Sequence, residues 1–190
     1  MSANFLNRGN LAKLKGSPLA LTGERVCLRL LRAEDLAMTL AWRNSSDIRR
    51  WFIHSEIITW EQHLAWWQEY QDRYNDFVFI IEDKQTNKPV GQVSLYNIDL
   101  KKKQAEYGRL IIGSHENRSR GFAREATELL LSWAFDYAGL KQIYLKVFNN
   151  NIPAISLYKR CGFKVCKEQG ELLFMCLAKG TRKPSIKEQC

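Results

Sequence analysis

Arg118-Ser119-Arg120-Gly121-Phe122-Ala123-Arg124 lies between a strand-like run and a helix-like run, and this junction decides how the whole chain is read. On its N-terminal side, AEYGRLIIG (105–113) reads as a strand. Residues 114–123 form a loop. On its C-terminal side, Ala126, Leu129, Leu130, Trp133 and Ala134 recur at helical spacing over 124–137, with Gly139 as the stop. A pyrophosphate at such a junction accepts several backbone amide hydrogen bonds and is favoured by the helix dipole. Gly121 and Ala123 let the backbone come close to an anion, and Arg118, Arg120 and Arg124 add positive charge. Taken alone, the same residues also fit an ordinary basic turn. No third glycine follows and no Gly-Lys-Ser/Thr is present, so the loop is neither a dinucleotide fingerprint nor a P-loop.

Working outward, QIYLKVF (142–148) is a further strand. A helix between 105–113 and 142–148 implies a parallel crossover, so the sheet is mixed. Upstream, FVFIIED (77–83) and PVGQVSLYNI (89–98) read as strands joined by a turn at 84–89, and 25–31 alternates as another. Leu36 and Leu40 mark a short helix over 35–42. Thr59-Trp60-Glu61-Gln62 is a capping box that opens a helix running to about Arg73. Downstream, Pro153 opens a helix ending before Gly162, and a hairpin about Gln169-Gly170 closes the body. The expected fold is α/β (α+β), with one mixed sheet of about seven strands flanked by helices. The expected organisation is a flexible extension at 1–20, one domain at 21–178 and a flexible basic tail at 179–190.

Composition is consistent with one globular domain: 45% hydrophobic and 26% charged over 190 residues. No run of eighteen apolar residues and no secretory h-region appears, so a cytoplasmic protein without membrane insertion is expected. The net charge of +9 is concentrated at the ends: 1–23 carries +3 and 179–190 carries +3, leaving +3 for the body. That distribution speaks against a nucleic-acid partner and for a local phosphate-bearing ligand. Cys27, Cys161, Cys166, Cys176 and Cys190 are odd in number and show no C-x-x-C spacing. They are expected as small buried apolar residues plus one tail thiol, with no metal.

A second motif follows the first in order: Asn151-Ile152-Pro153-Ala154-Ile155-Ser156-Leu157-Tyr158, then Cys161-Gly162-Phe163. Together with Arg118-x-x-Gly121-x-Ala123, it resembles the paired signatures of the GNAT superfamily of acetyl-coenzyme A–dependent N-acetyltransferases. The resemblance is tight at 105–163 and extends over 21–178 in element order. It implies that the strands at 105–113 and 142–148 splay apart to admit the pantetheine arm of acetyl-CoA. It implies cofactor contacts from Leu110, Ile111 and Ile112, from the loop residues Arg118, Ser119, Arg120, Gly121, Phe122, Ala123 and Arg124, and from Asn151. One amide in 110–112 would point at the acetyl oxygen. Asn151 also fits as a helix N-cap.

Tyr158 stands where relatives place the phenol that protonates the thiolate; a packing role is the alternative. Glu106, which shares a strand face with Gly108 and Leu110, is the candidate base, with a strand-edge ion pair as its alternative. Ser94 is a weaker candidate for orienting substrate or water.

For the acceptor, the segment after the first strand carries Trp42, Trp51, Trp60, Trp66 and Trp67 within 26 positions, interleaved with Arg43, Arg49, Arg50 and His54. Such rings stack a base or a sugar, and the arginines suit a diphosphate; packing of the helices on the sheet is the alternative. His63 and His115 are taken as surface residues. Trp42-Arg43-Asn44, His54, and Ile58-Thr59-x-Glu61-x-His63-Leu64-x-Trp66 resemble the GNAT subfamily of pseudaminic acid synthesis. That resemblance implies transfer to the 4-amine of a UDP-linked 4-amino-4,6-dideoxy sugar by direct attack. The substrate contacts it implies are Arg43, Asn44, His54, Trp66 and Ser94. Glu106-Tyr107-Gly108-Arg109-Leu110 and Leu21-Thr22-Gly23-Glu24-Arg25 also resemble acetyltransferases of ribosomal-protein N-termini, so a peptide amine stays open. A non-catalytic CoA-binding module is a third reading, opposed by Tyr158. A homodimer is compatible with all three.

Overall fold

The computed structural model describes residues 7–181. Cys190 and most of the basic tail lie outside the described residues. Among the described residues eight strands form one sheet: β1 (Ala20–Thr22), β2 (Val26–Leu30), β3 (Phe77–Asp83), β4 (Lys88–Asp99), β5 (Gln104–Ile112), β6 (Gln142–Phe148), β7 (Lys164–Gln169) and β8 (Leu172–Ala178). Their spatial order is β1-β2-β3-β4-β5-β6-β8-β7. The expected mixed sheet is present, with one strand more than the seven inferred, because Ala20–Thr22 pairs with Cys27–Arg29.

Alternation along β3 sends side chains to two covered faces. Phe77, Phe79 and Ile81 join the main core with Ala126, Leu130 and Trp133 of the helix after the loop, α5 (Phe122–Ser132), and the turn beyond it. Val78 and Ile80 join Leu31, Leu36 and Tyr70, with Trp66 and Trp67 against them, on the face covered by α2 (Leu36–Asn44) and α4 (Trp60–Asp72). The Thr59–Gln62 capping box forms as expected. A short α3 (Ser46–Arg49) occupies the expected break after α2. The last turn of the loop helix, Trp133–Tyr137, widens to a π turn, with the Ala138 amide reaching the Trp133 carbonyl at 2.8 Å. The helix opened by Pro153 is α6 (Ile152–Arg160).

Two expectations change. Residues 8–15 of the supposed polar extension are helix α1 (Arg8–Lys15), capped by the Asn7 side chain, and Leu11 is buried in the main core. Leu11 and Leu14, three apart, give this mostly polar segment a narrow apolar edge. Lys15 fastens it by donating to the Tyr70 and Arg73 carbonyls; burial pushes its ammonium down to about 8. The cysteine expectation fails at two positions. Cys166 falls at a register shift between Val165 and Lys167, while Cys176 is opposite Lys164; with Cα atoms 6.1 Å apart the two cysteines form a disulfide. Cys27 and Cys161 lie outside this disulfide, and of the two only Cys161 is buried.

Candidate active site

Among the described residues β5 and β6 are the only parallel neighbours, and they stay together for three residues, Gln104–Glu106 against Gln142–Tyr144. Beyond Glu106 they part: β6 continues along β8 to Phe148, while β5 continues along β4. From Tyr107 to Ile112 the edge of β5 that faces β6 has no strand partner, so its amides and carbonyls are open to a ligand. A bulge adds to this. Ser94 is opposite Gly108 and Gln92 opposite Ile111, so β5 spends one residue more than β4, and Arg109 takes φ +51°. Arg109 is held there by Asp76, at 2.8 and 3.1 Å, and by the Tyr96 ring, 4.2 Å from the guanidinium.

The split opens into a cleft of about 1720 Å³ that runs from the loop before α5 to α2, α3 and the segment leading to α4. At one end Gly121 sits at φ +84°, and a Cβ there would meet the Arg25 guanidinium at 2.8 Å. The first intrahelical bond of α5 is from the Glu125 amide to the Gly121 carbonyl at 3.1 Å, so the amides of Phe122, Ala123 and Arg124 are free for an anion. Ser119, Gly121, Phe122, Ala123, Arg118 and Arg124 line this end. Arg118 pairs with Asp47 of α3, holding that carboxyl below its ordinary range, and Arg124 pairs with Glu128 at 2.9 Å. Arg120 turns away from the cleft: its guanidinium lies 4.7 Å from the Phe122 ring and 3.8 Å from the buried Asp83 carboxylate.

In the middle, Leu110, Ile111 and Ile112 line the floor with Glu106 and Tyr158. Tyr158 is buried against Tyr107 and Phe163, and loss of hydration pushes its phenol well above the ordinary tyrosine range. Glu106 is buried, with Asn97 donating to Oε2 at 3.0 Å and the Lys146 ammonium 3.5 Å from Oε1. Asn151 lines the cleft and also caps α6, its Oδ1 accepting from the Ala154 amide at 3.3 Å.

At the far end the structure brings together Arg43, His54 and Trp66 but not Asn44 or Ser94. Arg43 lies 4.1 Å over the Phe52 ring and donates to the His54 carbonyl; burial pulls its guanidinium below its ordinary value. Asn44 instead clasps Ile58, accepting from its amide at 2.9 Å and donating to its carbonyl at 2.8 Å, so its amide is consumed in tying α2 to the segment before α4. Ser94 is fully buried between Val78 and Gly108, which both line the cleft, and is not itself a lining residue. His63, taken from sequence as a surface residue, is buried on that wall. It stacks 5.3 Å from Trp66, and its Nε2 is 3.3 Å from Thr39 Oγ1. Its position one helical turn before Trp67 was the available signal. His115 is exposed, as expected, 3.2 Å from Asp47. Tyr96, Gln92, Arg109 and Lys146 are cleft residues that sequence reasoning did not single out.

Among the described residues no group of three His, Cys, Asp or Glu side chains is placed to hold a metal, and no helix is long and apolar enough to cross a membrane.

A split parallel pair, one strand of it bulged, and a glycine loop at a helix N-terminus define the class: this is an acyl-CoA–dependent N-acetyltransferase domain. Residues 25–164 match the family described as "Acetyltransferase (GNAT) domain", and the chain belongs to that family. A spermidine N(1)-acetyltransferase of Vibrio cholerae is 30% identical over 78% of this chain and 83% of its own length. Acetyltransferase PseH of Campylobacter jejuni is 24% identical over 77% of this chain and 88% of its own. An uncharacterized protein of Methanocaldococcus jannaschii is 28% identical over 77% of this chain, which spans 30% of that protein. Two solved structures superpose with TM-score 0.76. One is spermidine N-acetyltransferase from Vibrio cholerae in complex with CoA and spermine (24% identity, 84% of this chain, 98% of that one). The other is apo FdhC, a nucleotide-linked sugar GNAT (21% identity, 87% and 93%). GNAT acetyltransferases use acetyl-CoA, and the residues here fit it: three free first-turn amides, a loop glycine at positive φ before them, and a strand edge left unpaired.

Proposed function

We propose that the chain transfers an acetyl group from acetyl-CoA to the primary amine of an anionic, nucleotide-linked amino sugar. The 4-amine of a UDP-linked 4-amino-4,6-dideoxy sugar fits best. The observation that carries the acceptor is the charge of the cleft wall. Eight arginines and lysines line it against three acids, Asp47, Glu56 and Glu106, and two of those acids are already paired with Arg118 and Lys146. Some of the excess serves the phosphates of CoA. Arg43, Arg50 and Lys146 remain beside Trp51, Trp66 and His54 on the acceptor side. A polyamine brings like charge to such a wall, whereas a nucleoside diphosphate brings two phosphates and a stacking base. PseH and FdhC, the latter a nucleotide-linked sugar GNAT by its title, are the relatives in keeping with this reading.

The thioester supplies an activated acyl carbon and a thiolate leaving group. Arg118, Ser119, Gly121, Phe122, Ala123, Arg124 and Asn151 hold the cofactor, and the open edge at Leu110–Ile112 offers an amide to the acyl oxygen. Glu106 takes the proton of the attacking amine, directly or through water, as nitrogen bonds to the acyl carbon. Tyr158 hands a proton to sulfur as the carbon–sulfur bond breaks. With both substrates held in one cleft, proximity supplies much of the acceleration, and transfer is direct.

Inhibition by UDP is the test. UDP at millimolar concentration should compete with the acceptor and not with acetyl-CoA, while thiol release is followed with UDP-4-amino-sugars, spermidine and N-terminal peptides. Efficient acetylation of a ribosomal-protein N-terminal peptide with no inhibition by UDP would replace the sugar reading with the peptide one.

A further inference from the structure

The floor of the cleft holds an ion pair that spans the gap between the two parted strands. Glu106 is the last residue of β5 to be paired with β6, opposite Tyr144. Lys146 lies two residues further along β6, where the strands have separated, and its ammonium reaches back across the gap to within 3.5 Å of Glu106 Oε1. The other carboxylate oxygen accepts from Asn97 at 3.0 Å. The Glu106 carboxylate is thus engaged from β4 on one side and from β6 on the other. The lysine ammonium lies 5.9 Å from the Phe174 ring centroid on β8, and its side chain is about one-third exposed, at 35%, facing the cleft.

We propose that Lys146 is a positioning and specificity residue that acts through Glu106: it fixes the carboxylate across the strand gap and occupies the place a cationic amine would take as counter-ion. This rests on the acetyltransferase reading of the cleft. A carboxylate at the reaction centre without such a partner is a ready anchor for a protonated amine. With Lys146 in place, the carboxylate already has its counter-ion, and an incoming polycation meets a fixed positive charge. The acceptor must then bind through its own scaffold and present an uncharged amine. Lys146 touches neither reacting atom in this scheme, so its loss should alter turnover and acceptor choice rather than cofactor binding.

The experiment compares wild type with Lys146→Met, Lys146→Gln and Lys146→Arg, using acetyl-CoA with spermidine or a UDP-linked 4-amino-sugar and following thiol release. Methionine keeps an unbranched stem near Phe174 and removes the charge. Lys146→Met and Lys146→Gln should both raise kcat/KM for spermidine about three- to fivefold, the upper end for one charge interaction near a protein surface. Both should lower kcat for the sugar about tenfold with the acetyl-CoA KM unchanged. Lys146→Arg should restore wild-type behaviour within about twofold, since it keeps the charge. No gain on spermidine in either neutral variant overturns the proposal, as does a neutral variant whose kcat for the sugar is unaltered. A wild type that ignores the UDP-sugar overturns the nucleotide-sugar reading alone, because the spermidine comparison still reports on Lys146.

Discussion

Tyr158 meets Tyr107 edge to face, with ring centroids 5.9 Å apart and planes at 80°. Tyr107 is itself fixed, its hydroxyl 2.7 Å from Thr127 Oγ1 on α5. The contact ties α6 to the last part of β5 before the bulge, so the phenol proposed as the proton donor is oriented by the strand that carries the proposed base. Burial raises the Tyr158 phenol above its ordinary value, which keeps it protonated throughout the neutral range.

Replacing Tyr158 by Phe keeps the ring contact and removes only the hydroxyl. Turnover should fall by about 10²–10⁴-fold, the usual size of a general-acid contribution, while the acetyl-CoA dissociation constant changes little. Steady-state kinetics and calorimetry on the same preparation check this. Near-native turnover in Tyr158→Phe would return the residue to packing alone.

The loop makes a separate prediction. Gly121 combines a positive φ with a Cβ position 2.8 Å from the Arg25 guanidinium, so Gly121→Val strains the backbone and displaces a neighbour together. Acetyl-CoA should raise the Tm of the wild type by binding only the folded state, and this rise should vanish in Gly121→Val. Circular dichroism of the variant separates loss of binding from loss of fold. A full ligand-induced shift in a folded variant would remove the loop from cofactor binding.

How far the site was legible from sequence depended on whether a residue's role is local. Gly121, Ala123, Arg118 and Arg124 reach the cleft through the junction they occupy, and Asn151 and Tyr158 through one short helix, so spacing alone puts them on its lining, whereas Arg120 turns toward Asp83. Asn44 was misjudged because its amide is claimed by Ile58, a partner fourteen residues away that only the packing of α2 brings near. Ser94 alternates correctly with Gln92 and Tyr96, yet, flanked by Val78 and Gly108 on the neighbouring strands, it is fully buried and does not line the cleft. The Cys166–Cys176 disulfide joins two neighbouring strands at a one-residue register shift that no spacing rule reveals. Helix α1 was missed because Leu11 and Leu14 form too narrow an apolar edge to stand out among polar neighbours. Lys146 and Glu106, forty residues apart, are brought together only by the crossover.

His63 supplies a pH dependence that the sequence reading did not foresee. It is buried beside Trp66 and Thr39, and loss of hydration lowers its pKa below the ordinary histidine value, which is about 6.5. The sign follows from linkage. The unfolded chain takes up a proton near pH 6.5, while the folded chain resists it until the pH is lower. The unfolded state therefore binds more protons in that interval, and stability falls as the pH is lowered through it. The contribution is fully present above about pH 6.5 and is lost as pH falls toward the folded value. Urea unfolding between pH 7.5 and 5.0 should show a midpoint that drops with acid. In His63→Phe, which keeps a ring against Trp66 but cannot be protonated, the drop should be smaller. Equal acid sensitivity in the two proteins would mean that the imidazole is hydrated and charged in the folded state, and would move His63 out of the buried wall of the acceptor cleft.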